Sequence, residues 1–146
     1  MTQITILSFA FSQGEPPPAN LSFDMRFLRN PHWQEGLRAL TGRDASVGDY
    51  IAGDAAFESA IAGIEGALLA LLPLYSVAGN APVSVAFGCT GGRHRSVYVA
   101  EHVAGRLRAA GFSPTIEHRD LATPPRDVST EAGAGRQEAD EAFQGD

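Results

Sequence analysis

One cysteine, two glycines, two arginines, a histidine and a serine fall within eight consecutive residues, Cys89-Thr90-Gly91-Gly92-Arg93-His94-Arg95-Ser96. A loop that wraps an anion must turn backbone N–H groups inward, and Gly88, Gly91 and Gly92 supply the conformations that allow it. A helix beginning near Ser96 would add the positive end of its dipole and its unpaired N–H groups. The planar fork of Arg95 suits a bidentate clamp on an oxyanion. The chemistry predicted is therefore the holding of a phosphate, with Thr90 and His94 as further donors and Arg93 open between a ligand contact and a solvated side chain.

The same spacing, Cys89, five residues, Arg95 and then Ser96, matches the signature of cysteine-dependent phosphatases. A thiolate in an electropositive cradle is reactive. That reaction also needs an acid for the leaving group, and Asp24 and Asp120 are candidates by strand position. A glycine-rich turn that merely reverses the chain is the plainer alternative. For His32, a site role and a local turn-stabilising hydrogen bond are both open. His118 and Arg119 are open between a site role and simple exposure, while His102 is expected to be exposed and Trp33 to pack.

The elements that would position these residues follow from periodicity. Residues 3–10 alternate like a strand, and Gln13-Gly14-Glu15-Pro16-Pro17-Pro18 is a loop. Residues 21–27 alternate again, placing Ser22, Asp24 and Arg26 on one face. Asn30-Pro31-His32-Trp33 breaks that strand, and a short helix is predicted from Gln34 to Leu40. A long helix runs from Ala55 to Leu72 on a stripe that includes Phe57, Ile61, Ile64 and Leu68. Pro82–Phe87 is a strand, residues 96–110 form a helix stopped by Gly111, and Thr115–Asp120 is a final strand.

Strands interleaved with helices predict an α/β fold, a single three-layer domain over residues 1–120. It would hold a small, mostly parallel sheet with helices on its faces and the phosphate-binding loop between strand and helix. Ligands in such sheets bind outside the carboxyl ends of the strands, where Cys89 falls. Residues 121–146 are too poor in large apolar side chains to pack and are expected to be an acidic, disordered tail.

Charge supports a small-molecule role. The net charge is −6, of which residues 1–120 carry −2 and the tail −4. That balance argues against broad attraction to nucleic acid or to a membrane. All 11 basic residues are arginine, most simply a codon bias. No uninterrupted apolar run reaches the roughly 20 residues of a membrane span, and the N-terminus reads as a strand rather than a secretory signal, so a cytoplasmic location is expected. Cys89 is the sole cysteine, which excludes an internal disulfide and the usual zinc spacings. No metal and no cofactor are expected.

The segments Phe23-Asp24-Met25-Arg26-Phe27-Leu28-Arg29-Asn30-Pro31-His32-Trp33, Leu40-Thr41-Gly42, Gly88 through Val97 and His118-Arg119-Asp120 together resemble the C-terminal domain of the RNase adapter protein RapZ. The resemblance covers residues 5–120 and implies a free-standing C-terminal domain, without the N-terminal Walker-type domain of full-length members. It implies a pocket for glucosamine-6-phosphate, with Asp24, Arg26, Asn30 and His32 on one wall and Cys89 through Ser96 on the other. It also implies a non-catalytic, regulatory module with a protein or RNA partner and homo-oligomeric assembly, and nucleotide binding by family naming. RNA-binding members end in a Lys- and Arg-rich segment, whereas this chain has no lysine and an acidic end. The metabolite pocket therefore carries over better than the RNA function.

Overall fold

The structure, a computed structural model, describes residues 3–79 and 81–125. Four strands form one sheet in the order β2-β3-β1-β4: β1 (Ile4–Ala10), β2 (Leu21–Asp24), β3 (Val83–Cys89) and β4 (Thr115–His118). Every pairing is parallel, with Ile6 opposite both Val85 and Ile116 and Phe23 opposite Phe87. All four carboxyl ends thus lie along one edge.

Among the described residues three α-helices join them: α1 (Ala45–Ala52), α2 (Phe57–Ala78) and α3 (Arg95–Ala109). The connections β2→β3 and β3→β4 run in the same direction across the sheet. Right-handed crossovers then put all three helices on one face. There Ile4, Ile6, Val83, Val85 and Phe87 pack against Ile51, Ile61, Leu68, Val99 and Val103 in a single core.

The β1→β2 connection steps back across the sheet, so residues 11–20 cross the opposite face. Phe11 sits there, 4.9 Å from the Phe9 ring. Among the described residues, the second face is covered by this segment, with a 3-10 turn at Phe11–Gln13, and by no α-helix.

Other boundaries moved for local reasons. β2 ends at Asp24 rather than residue 27, because the Asp24 carboxylate accepts the Arg26 N–H at 3.0 Å and turns the chain. Residues 34–40 are successive turns, such as Leu37 N–H to Gln34 C=O at 2.9 Å, not a helix. Helix α1 was not predicted, since Gly48 and the polar residues around it weaken the helical stripe.

Helix α2 continues past Pro73, where the prediction stopped. By length and composition, Phe57–Tyr75 is long and apolar enough to cross a membrane. In this fold, however, Phe57, Ile61, Ile64, Leu68 and Leu72 are core residues. Of the predicted tail, residues 121–125 are described, with Leu121 and Thr123 half-buried and Ala122, Pro124 and Pro125 exposed, and 126–146 lie outside the described residues.

Candidate functional site

At the carboxyl edge of the sheet the chain leaves each strand and turns around a common cleft enclosing about 50 Å³. Ser12 and Gln13 line it after β1, and Asn30 and His32 after β2. Cys89, Gly91, Arg93, His94 and Arg95 line it after β3, and Thr123, Pro124 and Pro125 after β4. Of the predicted site residues the fold therefore gathers Asn30, His32, Cys89, Gly91, Arg93, His94 and Arg95. Asp24, Arg26, Thr90, Gly92 and Ser96 are not among the lining residues.

The loop after β3 is built to bend tightly. Gly92 has φ +70°, and a Cβ there would come within 2.8 Å of the Ala10 Cβ, so only glycine fits. Cys89, 2% exposed, donates its S–H to Ser96 Oγ at 3.2 Å. Helix α3 begins at Arg95, and its N-cap, His94, makes no side-chain capping bond. The first-turn N–H groups of a helix have no partner within it and favour an anion.

The arginines do different work from the predicted clamp. Arg95 is 1% exposed, and its Nη1 donates to the carbonyls of Arg26 (2.7 Å) and Leu28 (3.0 Å). Its Nη2 donates to Thr90 Oγ1 at 3.3 Å. Arg93 donates to the carbonyls of Ala39, Leu40, Leu121 and Thr123. Arg119 donates to those of Ala10, Gln13 and Glu15. These side chains fix the cleft walls to one another while placing positive charge around it.

Asp24 and Arg26 form an ion pair at 2.7 Å, with the Arg26 guanidinium 4.0 Å from the Phe11 ring centroid. Burial alone would raise the Asp24 pKa. The hydrogen bonds from Arg26 and the charges of Arg26 and Arg95 outweigh it and hold the carboxyl below its usual value. Asp120 is occupied at the end of β1, accepting from Ala10 N–H at 2.7 Å and from Arg119 Nε at 2.9 Å.

Asn30 caps the 3-10 turn Pro31–Trp33 by accepting the His32 N–H at 3.1 Å. His32 is 3% exposed, with its ring 4.7 Å from that of Trp33. His94 is also buried, its Nε2 3.2 Å from the Arg38 carbonyl. Burial, with the charges of Arg93 and His32, lowers its pKa to about 4 against the opposing bonds to the Arg38 and Leu40 carbonyls. It is a neutral side chain at physiological pH.

Two histidines fall outside the cleft. His118 points into the helix face, where its Nδ1 is 2.6 Å from Ser8 Oγ and its Nε2 2.7 Å from Glu101 Oε2. Ser8 is fully buried, so this Ser-His-Glu line joins β1, β4 and α3 and offers no accessible nucleophile. His102, expected to be exposed, is half-buried against Phe57 and Tyr98. Among the described residues no three His, Cys, Asp or Glu side chains gather as metal ligands.

Sequence reasoning missed Ser12, Gln13 and residues 123–125. The rule that placed Cys89 at a strand's carboxyl end applies equally after β1 and β4. It was the signal available for both.

The family model described as the RapZ C-terminal domain matches residues 2–122. A nucleotide-binding protein of Novosphingobium aromaticivorans is 58% identical over 127 residues, 87% of this chain and 42% of its own length. One of Rhizorhabdus wittichii is 57% identical over 120 residues, 82% and 38%. One of Zymomonas mobilis is 52% identical over 142 residues, 97% and 43%. The chain spans about two fifths of the length of the curated relatives it matches.

Proposed function

The chain belongs to the RapZ C-terminal domain family, and on that premise we propose that its cleft binds the phosphoryl end of a small metabolite, as the sensing module of a regulatory adapter. The observation that carries this reading is the composition of the cleft wall. Arg93, Arg95 and the uncapped start of α3 border it, and among the described lining residues there is no carboxylate. Such a surface favours an oxyanion by its local charge and its helix N-terminus.

The enclosed volume of about 50 Å³ is far below the roughly 300 Å³ of a pocket that engulfs a drug-sized ligand. It suits a phosphoryl group whose remaining part extends into the open mouth. An amino sugar phosphate such as glucosamine-6-phosphate is the ligand class we favour, with Asn30 and His32 beside its polar groups. The name of the relatives makes nucleotides the natural competitors in any binding test.

A cysteine phosphatase is supported less well. Cys89, Ser96 and Arg95 are adjacent as that chemistry requires, but Asp24 is held ionised in its pair with Arg26 and Asp120 is bonded to Ala10 and Arg119. Neither is placed to protonate a leaving group.

Titration calorimetry with inorganic phosphate, glucosamine-6-phosphate, other sugar phosphates and nucleotides tests the proposal. Selective heat with a sugar phosphate, abolished in Arg95→Lys at unchanged fold, is the expected result. No binding by any phosphate would overturn it. Phosphate release that Cys89→Ser removes would establish the phosphatase instead.

A further inference from the structure

We infer that residues 121–125 form a strap across the phosphate cleft, clamped by Arg93, which sets the size of the molecule that reaches Cys89. The inference rests on the cleft being the ligand's point of entry, as proposed above.

The strap is the wall contributed after β4. Thr123, Pro124 and Pro125 share the cleft with the buried Cys89. Pro124 and Pro125 have no N–H and cannot be tied to a neighbouring loop by backbone donation. A turn from Thr123 N–H to the Asp120 carbonyl at 3.1 Å starts the strap.

Among the described residues, the side-chain hydrogen bonds that tie it to the rest of the site come from Arg93. Arg93 Nη1 donates to the Thr123 carbonyl at 2.9 Å and to that of Leu121 at 3.4 Å. On its other side, Nη2 holds the Ala39 and Leu40 carbonyls at 2.9 and 3.2 Å. The guanidinium therefore bridges two segments that do not otherwise continue one another, and Arg93 acts as a positioning residue for the cleft mouth. Charge-assisted bonds of this kind are the stronger class. With the strap in place the cleft admits a tetrahedral anion and a slim ester, and it disfavours a bulky one.

Cys89 is the sole cysteine in the chain, so its alkylation reports access directly and needs no bound ligand. The experiment compares iodoacetamide with a bulky fluorescent maleimide on the full chain, on Arg93→Ala and on the double variant Pro124→Gly, Pro125→Gly. Opening the strap raises the maleimide-to-iodoacetamide rate ratio at least fivefold in both variants.

If Arg93→Ala merely loosens the whole fold, both reagents speed up alike, and the proline variant, which removes no hydrogen-bond donor, decides. A ratio unchanged in the proline variant overturns the inference. Inorganic phosphate is added in a parallel arm. Failure of phosphate to slow alkylation, alongside a raised ratio, counts against the anion-binding reading and leaves the strap standing.

Discussion

The Nη1 nitrogen of Arg95 lies 2.7 Å from the carbonyl oxygen of Arg26, joining the first residue of α3 to the segment that follows β2. Because the same nitrogen also donates to the buried Leu28 carbonyl, removing the side chain leaves both carbonyls without this donor. Arg95→Ala is expected to lower stability by roughly 2–4 kcal/mol. Urea denaturation should show a reduced midpoint at unchanged slope. Arg95→Lys should recover part of the loss, because an ammonium cannot reproduce the planar fork.

Acid should weaken the fold through His94. Its folded pKa of about 4 lies below the ordinary 6.5, so between those values the unfolded chain takes up a proton that the folded one refuses. The contribution is complete above pH 6.5, falls away as pH drops toward 4, and levels off below that. It amounts to at most about 3 kcal/mol. Denaturant midpoints measured from pH 7.5 to 4 should flatten over this window in His94→Asn.

Glycines at two places should respond oppositely to alanine. At Gly42 a Cβ would lie 2.4 Å from the His94 carbonyl oxygen and 2.5 Å from the Tyr98 nitrogen, and backbone atoms cannot step aside. Gly42→Ala should cost at least about 2 kcal/mol by forcing the 39–44 segment away from α3. Gly63 on α2 has nothing within 4 Å of the added methyl, and Gly63→Ala should stabilise by about 0.5–1 kcal/mol. Thermal melts of the two variants shifting in the same direction would contradict this assignment.

The line Ser8–His118–Glu101 should behave as a structural unit. Ser8→Ala leaves the buried Nδ1 of His118 without its 2.6 Å partner, a cost of about 1–3 kcal/mol. A double-mutant cycle of Ser8→Ala with His118→Phe should give less than the sum of the two single effects. Strict additivity would mean that the two side chains do not share one network.

Much of the fold was legible in local pattern. The two-residue alternation of Ile4–Ala10 and the helical stripe of α2 are set by which face must be buried, and they appear in the chain order itself. The β3-loop-α3 unit is similarly self-contained, since Gly88, Gly92 and the apolar strand before them lie within ten residues. The lateral order of the strands was not legible. Which face each connection crosses depends on the lateral order β2-β3-β1-β4, and no property of a single segment encodes that order.

The residues alone determined that a glycine-rich loop with Cys89 and Arg95 ends a strand and begins a helix, because backbone freedom and dipole position are local properties. Only the tertiary structure decided what the arginines do. A guanidinium satisfies whichever acceptors are nearest in space, and for Arg93, Arg95 and Arg119 these are carbonyls brought from distant parts of the chain. The same long-range convergence made Thr123 and Pro124 part of the cleft and left Asp24 paired with Arg26 outside its lining.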